Sequence, residues 1–170
     1  MRKARAASSP HLAFDVPVAV LELLYVRAAL GLDVLDDVPP ILSPPAPRPA
    51  PVDAEARWRQ CYDEMLGQLR QPGALVSPGW LPELLAVPED VAAGHGWIRD
   101  HRELVISGAL LANAQNAPLL HRRGESLTSA GVRLALVLPL DGGHRQLVGD
   151  GVLMVSLRTL LDDGAWTAAE

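Results

Sequence analysis

The run from Val132 to Leu157, VRLALVLPLDGGHRQLVGDGVLMVSL, constrains this chain most, because it is long, apolar and punctuated at only two places. Val132, Leu134, Leu136 and Leu138 share one side of an extended segment, and Ala135 and Val137 the other, so neither side suits water. A buried strand is predicted. Asp141-Gly142-Gly143, after Pro139 and Leu140, supplies glycines that tolerate positive backbone dihedrals, and apolar chain resumes at Leu147. That pattern predicts a β-hairpin. Gly149-Asp150-Gly151 then breaks the returning strand, as a bulge or as a second tight turn of a meander. The expected class is α+β: a small antiparallel hairpin or three-stranded meander over residues 132–157, packed by several helices.

A second apolar stretch lies near the start. Asp15 is a potential helix cap, Pro17 suits a first turn, and Gly31 stands where a helix would end. Between them only Glu22 and Arg27 are charged, so the predicted helix over 15–31 lacks a wet face and must be covered, either by its own domain or by another chain. Val18, Leu21, Leu24, Tyr25 and Leu30 are the side chains expected to meet such a partner. Behind it, PPILSPPAPRPAP holds seven prolines in thirteen positions, too many for a helix or an interior strand. An extended spacer over 32–52 is predicted. Pro44 and Pro47 have the spacing that aromatic-grooved modules read, but a spacer is the ordinary use of this composition.

From Asp53 the pattern is clearer. Trp58, Cys61, Met65, Leu66 and Leu69 recur at three and four residues, while Arg57, Arg59, Asp63, Glu64 and Arg70 take the opposite side, which predicts an amphipathic helix closing near Pro72-Gly73. Cys61 lies on the apolar stripe and reads as an inert core thiol. Pro78, Pro82 and Pro88 leave room for short helices only, around 81–86 and 89–93, with Trp80 and Trp97 as anchors to the core. Residues 102–116 suit a helix better than a strand, a polar loop is expected over 121–131, and Ser156 is placed to cap a last short helix closed by Gly164. The resulting organisation is a mobile basic arm (1–14), an apolar helix (15–31), a proline-rich linker (32–52) and one α+β domain (53–170).

Composition excludes more than it assigns. A net charge of -5 offers no general attraction for nucleic acid or anionic membrane, and the basic groups Arg2, Lys3, Arg5 and His121, Arg122, Arg123 are too small for a phosphate-reading face. No segment reaches the roughly 20 uncharged apolar residues that span a bilayer. The single cysteine gives no internal disulfide, and Asp15, Glu22 and Arg27 spoil a secretory signal, so a soluble, cytoplasmic protein is expected. The Arg, Ala, Pro and Val usage, with Lys3 the sole lysine, is what a GC-rich bacterial-like coding sequence produces.

Motifs for chemistry are scarce. Asp33, Asp36 and Asp37 lack the regular oxygen series of a Ca²⁺ loop and read as turn residues. No HExxH, CxxC, nucleophile elbow, dinucleotide fingerprint or phosphate loop is present, so neither a metal nor a cofactor is expected. The one region dense in titratable and flexible residues is Gly94 to His101, whose weak catalytic candidates are His95, Asp100 and His101. Adjacent on a helix, Asp100 and His101 diverge and need a third group, from His121 or His144, to act together. The reading that follows is a non-enzymatic interaction protein, an adaptor or assembly subunit binding another protein or itself as a homo-oligomer, with no nucleic acid and no membrane span. The alternative is a small hydrolase or lyase using His95, Asp100 and His101.

Overall fold

The computed structural model describes residues 12–69 and 78–168, apart from the side chains of residues 109–117, 165, 167 and 168. In chain order the elements are β1 (Ala13–Asp15), α1 (Val18–Ala29), α2 (Ala54–Leu69), α3 (Trp80–Leu84), α4 (Pro88–Ser129), β2 (Leu134–Leu138), β3 (Arg145–Gly149), β4 (Val152–Ser156), α5 (Leu157–Leu161) and α6 (Asp163–Ala168). The fold is α+β, a four-stranded mixed sheet packed by helices. Of the arm expected over 1–14, residues 1–11 lie outside the described residues, while Ala13 and Phe14 belong to β1.

The strand order β1-β2-β4-β3 differs from the expected hairpin or simple meander. Strand β4 lies between β2 and β3, parallel to β2 and antiparallel to β3, and β1 pairs parallel with β2 on the other side. Composition explains the order. The apolar runs LALVL and VLMVS are almost wholly buried and take the two central places, whereas the half-polar RQLVG and the exposed AFD take the edges. Asp141-Gly142-Gly143 therefore carries the chain across the sheet end to the far edge. The tight hairpin is the one at Asp150-Gly151, with Gly151 at φ +71° and a register shift between Leu147 and Gly149.

Helix α1 is a central core helix. Leu21, Leu23, Leu24, Tyr25 and Val26 are buried in one cluster with the interior of the sheet, and α1 packs against α2, α3 and α4. Asp15 does not cap it: the cap position is Pro17, and the Asp15 carboxylate accepts from the Val16 amide at 2.7 Å. The proline-rich segment is no free tether either. The Arg48 amide donates to Ala29 O at 2.8 Å, its guanidinium grips Asp90 through two 2.8 Å contacts, and Ile41 bridges Leu140. One arginine thus fastens the segment to α1 and α4 together.

Helix α4 is the largest departure from the predicted elements. The short helix expected around 89–93, the longer one expected over 102–116, and most of the loop expected over 121–131 form one 42-residue helix about 63 Å long. Pro88 opens it at a position where a missing amide costs nothing, and Pro118 is tolerated within it. Its glycines reflect packing as much as flexibility. A Cβ on Gly94 would lie 2.9 Å from Leu81 Cδ1 and 3.0 Å from Tyr25 Cε1, and one on Gly108 would lie 3.0 Å from Leu157 Cδ2. Among the described residues no helix is long and apolar enough to cross a membrane.

Candidate functional site

In open sheets with parallel strands, ligands favour the carboxyl ends of those strands. Here that end gathers the largest set of buried polar groups. Strand β2 runs into Pro139–His144, β4 ends at Ser156, and β3 begins at Arg145, so the turn of one strand and the cap of the next helix meet. Ser156 N donates to His144 O at 3.0 Å, and His144 N donates to Ser156 Oγ at 3.2 Å and to Thr159 Oγ1 at 3.0 Å. Ser156 Oγ also accepts from Thr159 N at 3.1 Å and donates to Thr159 Oγ1 at 2.9 Å. Ser156 and Thr159 are fully buried.

This arrangement resembles a catalytic cluster in composition only. The main-chain amide of His144, not its imidazole, meets the hydroxyls, and the Ser156 proton is committed to Thr159. A nucleophile needs a base on its own proton and an approach for substrate. Ser156 has neither, and acts as the cap of α5, the role its sequence position predicts. No family model, curated protein or solved structure matches the chain.

His144 is buried, at 6% exposure, and its Nε2 has no hydrogen-bond partner among the described residues. Burial pushes its pKa below the ordinary histidine value, against the opposing influence of the Asp37 carboxylate and a hydrogen bond to the Asp37 backbone. Asp37 belongs to a strap, residues 33–43, that lies across this end of the sheet. Leu42 N donates to Pro139 O at 2.9 Å, Asp141 N to Pro40 O at 2.7 Å, and Gln146 Nε2 to Asp37 Oδ2 at 2.8 Å. The three aspartates read as turn residues are exposed and set the field around Arg27. Its guanidinium donates to Val38 O at 2.9 Å, and its pKa is lowered by burial while Asp36, Asp37 and Asp33 act to raise it.

Beside the strap, Arg123 is buried, donates to Thr159 O at 3.3 Å, pairs with Asp163 at 2.8 Å and lies 4.8 Å from the Trp166 ring centroid; Arg145 covers the same ring at 4.2 Å. One of the basic residues weighed as a phosphate reader is thus spent holding α4 to α5 and α6.

The candidates His95, Asp100 and His101 are not brought together with a third group. His95 is exposed, exposed Asp100 pairs with its neighbour Arg99, and His101 stacks on Trp97 at 4.2 Å with Nδ1 2.9 Å from Trp97 O. His121 pairs with Glu125 on the surface of α4, and His144 is at the sheet end. Among the described residues no three His, Cys, Asp or Glu side chains are grouped to hold a metal. Trp97 Nε1 donates to Leu42 O at 3.1 Å, so this tryptophan anchors the strap. Burial, with Glu83 and Glu64 adding to it, pushes the Cys61 thiol up to about 11, which leaves it without nucleophilic character.

Of the residues expected to meet a partner, Leu21, Leu24 and Tyr25 are buried by this chain itself and Leu30 is half-buried. Val18 alone stays exposed, at 39%. Phe14 at 44% on β1 and Ile106 at 38% on α4 are exposed as well, and Arg102 Nε of α4 donates to Val16 O, next to β1, at 3.2 Å. Sequence reading missed Phe14 and Ile106 because they come from elements other than α1, and no single stretch carries the pattern.

Proposed function

We propose that this chain is a non-enzymatic assembly protein that pairs with a second copy of itself across β1, with Phe14, Val18 and Ile106 as its contact surface. The observation that carries this reading is the exposed Phe14 on β1, a strand that stands at the open edge of the sheet. Parallel pairing with β2 uses the amide of Ala13, and by alternation leaves the Phe14 amide and carbonyl directed outward. An antiparallel copy placed about Phe14 satisfies one donor and one acceptor on each chain and buries both aromatic rings. The neighbouring position is closed: Val16 N is held by Asp15 and Val16 O by Arg102, which limits growth into longer ribbons. The buried hydroxyls of Ser156 and Thr159 support the non-enzymatic reading, because they are spent on the cap of α5 and on the His144 main chain.

The test is solution mass by light scattering over a concentration series, for the native chain and for Phe14→Glu. Dimer formation by the native chain, lost in the variant with its fold retained by circular dichroism, supports the reading. A native chain that remains monomeric up to its solubility limit overturns it.

A further inference from the structure

We propose that His144 is an acid-sensitive latch that holds the strap of residues 33–43 over the carboxyl end of the sheet. Val34, Val38 and Ile41 of the strap are buried, main-chain bonds to Pro139 and Asp141 tie it to the β2–β3 crossover, and the side chains of Arg27, Trp97 and Gln146 bond it at Val38 O, Leu42 O and Asp37. Near its ends, Leu35 at φ +56° and Ser43 at φ +50° adopt left-handed backbone that side chains disfavour. The closed state therefore stores strain that opening releases.

The imidazole is packed where a charge has no outlet. From the strap, Asp37 alone among charged groups acts on it. Neighbouring cations are committed elsewhere: Arg145 of β3 lies on Trp166, Arg123 of α4 bonds Thr159 O and Asp163, and Arg27 of α1 bonds Val38 O. Arg158 of α5 and Asp141 of the crossover, the other charged side chains on the segments that meet at His144, are exposed to solvent. A proton added at Nε2 finds no protein acceptor among the described residues, so the charged ring is stabilised only when the strap lifts and water reaches it. Because the closed pKa lies below the open one, closure is fully favoured above the open-state value of about 6.5 and weakens as pH falls below it. Opening uncovers Val38, Ile41 and Leu140, an apolar surface that is absent at neutral pH.

Native-state hydrogen exchange of the Val38, Leu42 and Asp141 amides tests this in the full chain. After correction for intrinsic exchange, lowering the pH from about 7.5 to about 5.5 should raise their opening constants severalfold, to a limit of about tenfold set by one pH unit below the free histidine value. In His144→Phe that rise should disappear while amides of β2 and β4 stay protected. An equal rise in the variant, or none in the native chain, overturns the proposal. Should His144→Phe fail to fold, imidazole titration by NMR in the native chain decides: a pKa at or above the ordinary histidine value is incompatible with the latch.

Discussion

Replacing Leu21 with alanine separates a core helix from a docking helix. Leu21 is fully buried in α1 and belongs to the cluster that contains the interiors of β2 and β4. Leu→Ala changes at such sites cost about 2.7–5 kcal/mol, as lost transfer free energy plus the residual cavity. A chain of this length loses about 2–4 °C of melting temperature per kcal/mol, so a fall of roughly 5–20 °C is expected. Val18→Ala, one turn earlier but exposed, should stay within about 0.5 kcal/mol of the native chain. Urea and thermal unfolding followed by circular dichroism and by Trp58 fluorescence should give one transition, shifted as a whole in Leu21→Ala, because Trp58 Nε1 donates to Leu23 O at 2.7 Å. If Leu21→Ala leaves the main transition where it was, or detaches a separate small one, α1 is not part of the cooperative core and the single-core description fails.

Other positions test other parts of the fold. Cys61 should resist thiol reagents at about pH 8 in the folded chain and react at the ordinary rate in denaturant, since burial holds the thiol at about 11; rapid native labelling would contradict its placement. Gly151→Ala should cost about 1–3 kcal/mol in denaturant unfolding, because φ is +71° and a Cβ would meet Gly131 O at 2.6 Å; a neutral effect would refute the hairpin geometry. Arg123→Met should lower stability by about 1–3 kcal/mol and shift the emission of Trp166, since it leaves Thr159 O without its donor and removes one cation from the ring.

What was legible in the sequence follows from the range over which each signal acts. The stripe of α2 depends on residues three and four apart, and Trp58, Cys61, Met65 and Leu69 are indeed the buried ones. The Ser156 cap depends on three residues, and its hydroxyl accepts from Thr159 N as expected. Strand order has no such local origin. A glycine pair between two apolar runs has the same local chemistry whether the runs become neighbours or admit a third strand between them. The outcome was decided by burial, which sends the apolar β4 inward and the half-polar β3 to the edge. Strand β1 was invisible for a related reason: three exposed residues become a strand only because β2 is there to receive them. In α4 Gly94 read as flexible backbone, yet Gly94 and Gly108 mark where Leu81, Tyr25 and Leu157 approach closely enough that an added Cβ would force them to shift.

The apolar α1 shows why such signals mislead about function as well. A helix without a wet face demands cover, but its sequence is silent on whose side chains provide it. With aromatics only 4% of residues, the core cannot be closed by a few large rings. It needs a central rod of leucine and valine that the other helices surround, and α1 is the stretch able to serve. Once that demand is met internally, a surface for a partner must come from what the packing could not absorb, and Phe14, Val18 and Ile106 of β1, α1 and α4 are among the apolar side chains left exposed. A substitution at Val18 should therefore affect association and spare stability, while one at Leu21 should collapse both. Finding the reverse order of effects would return the contact surface to the buried stripe and remove the case for β1.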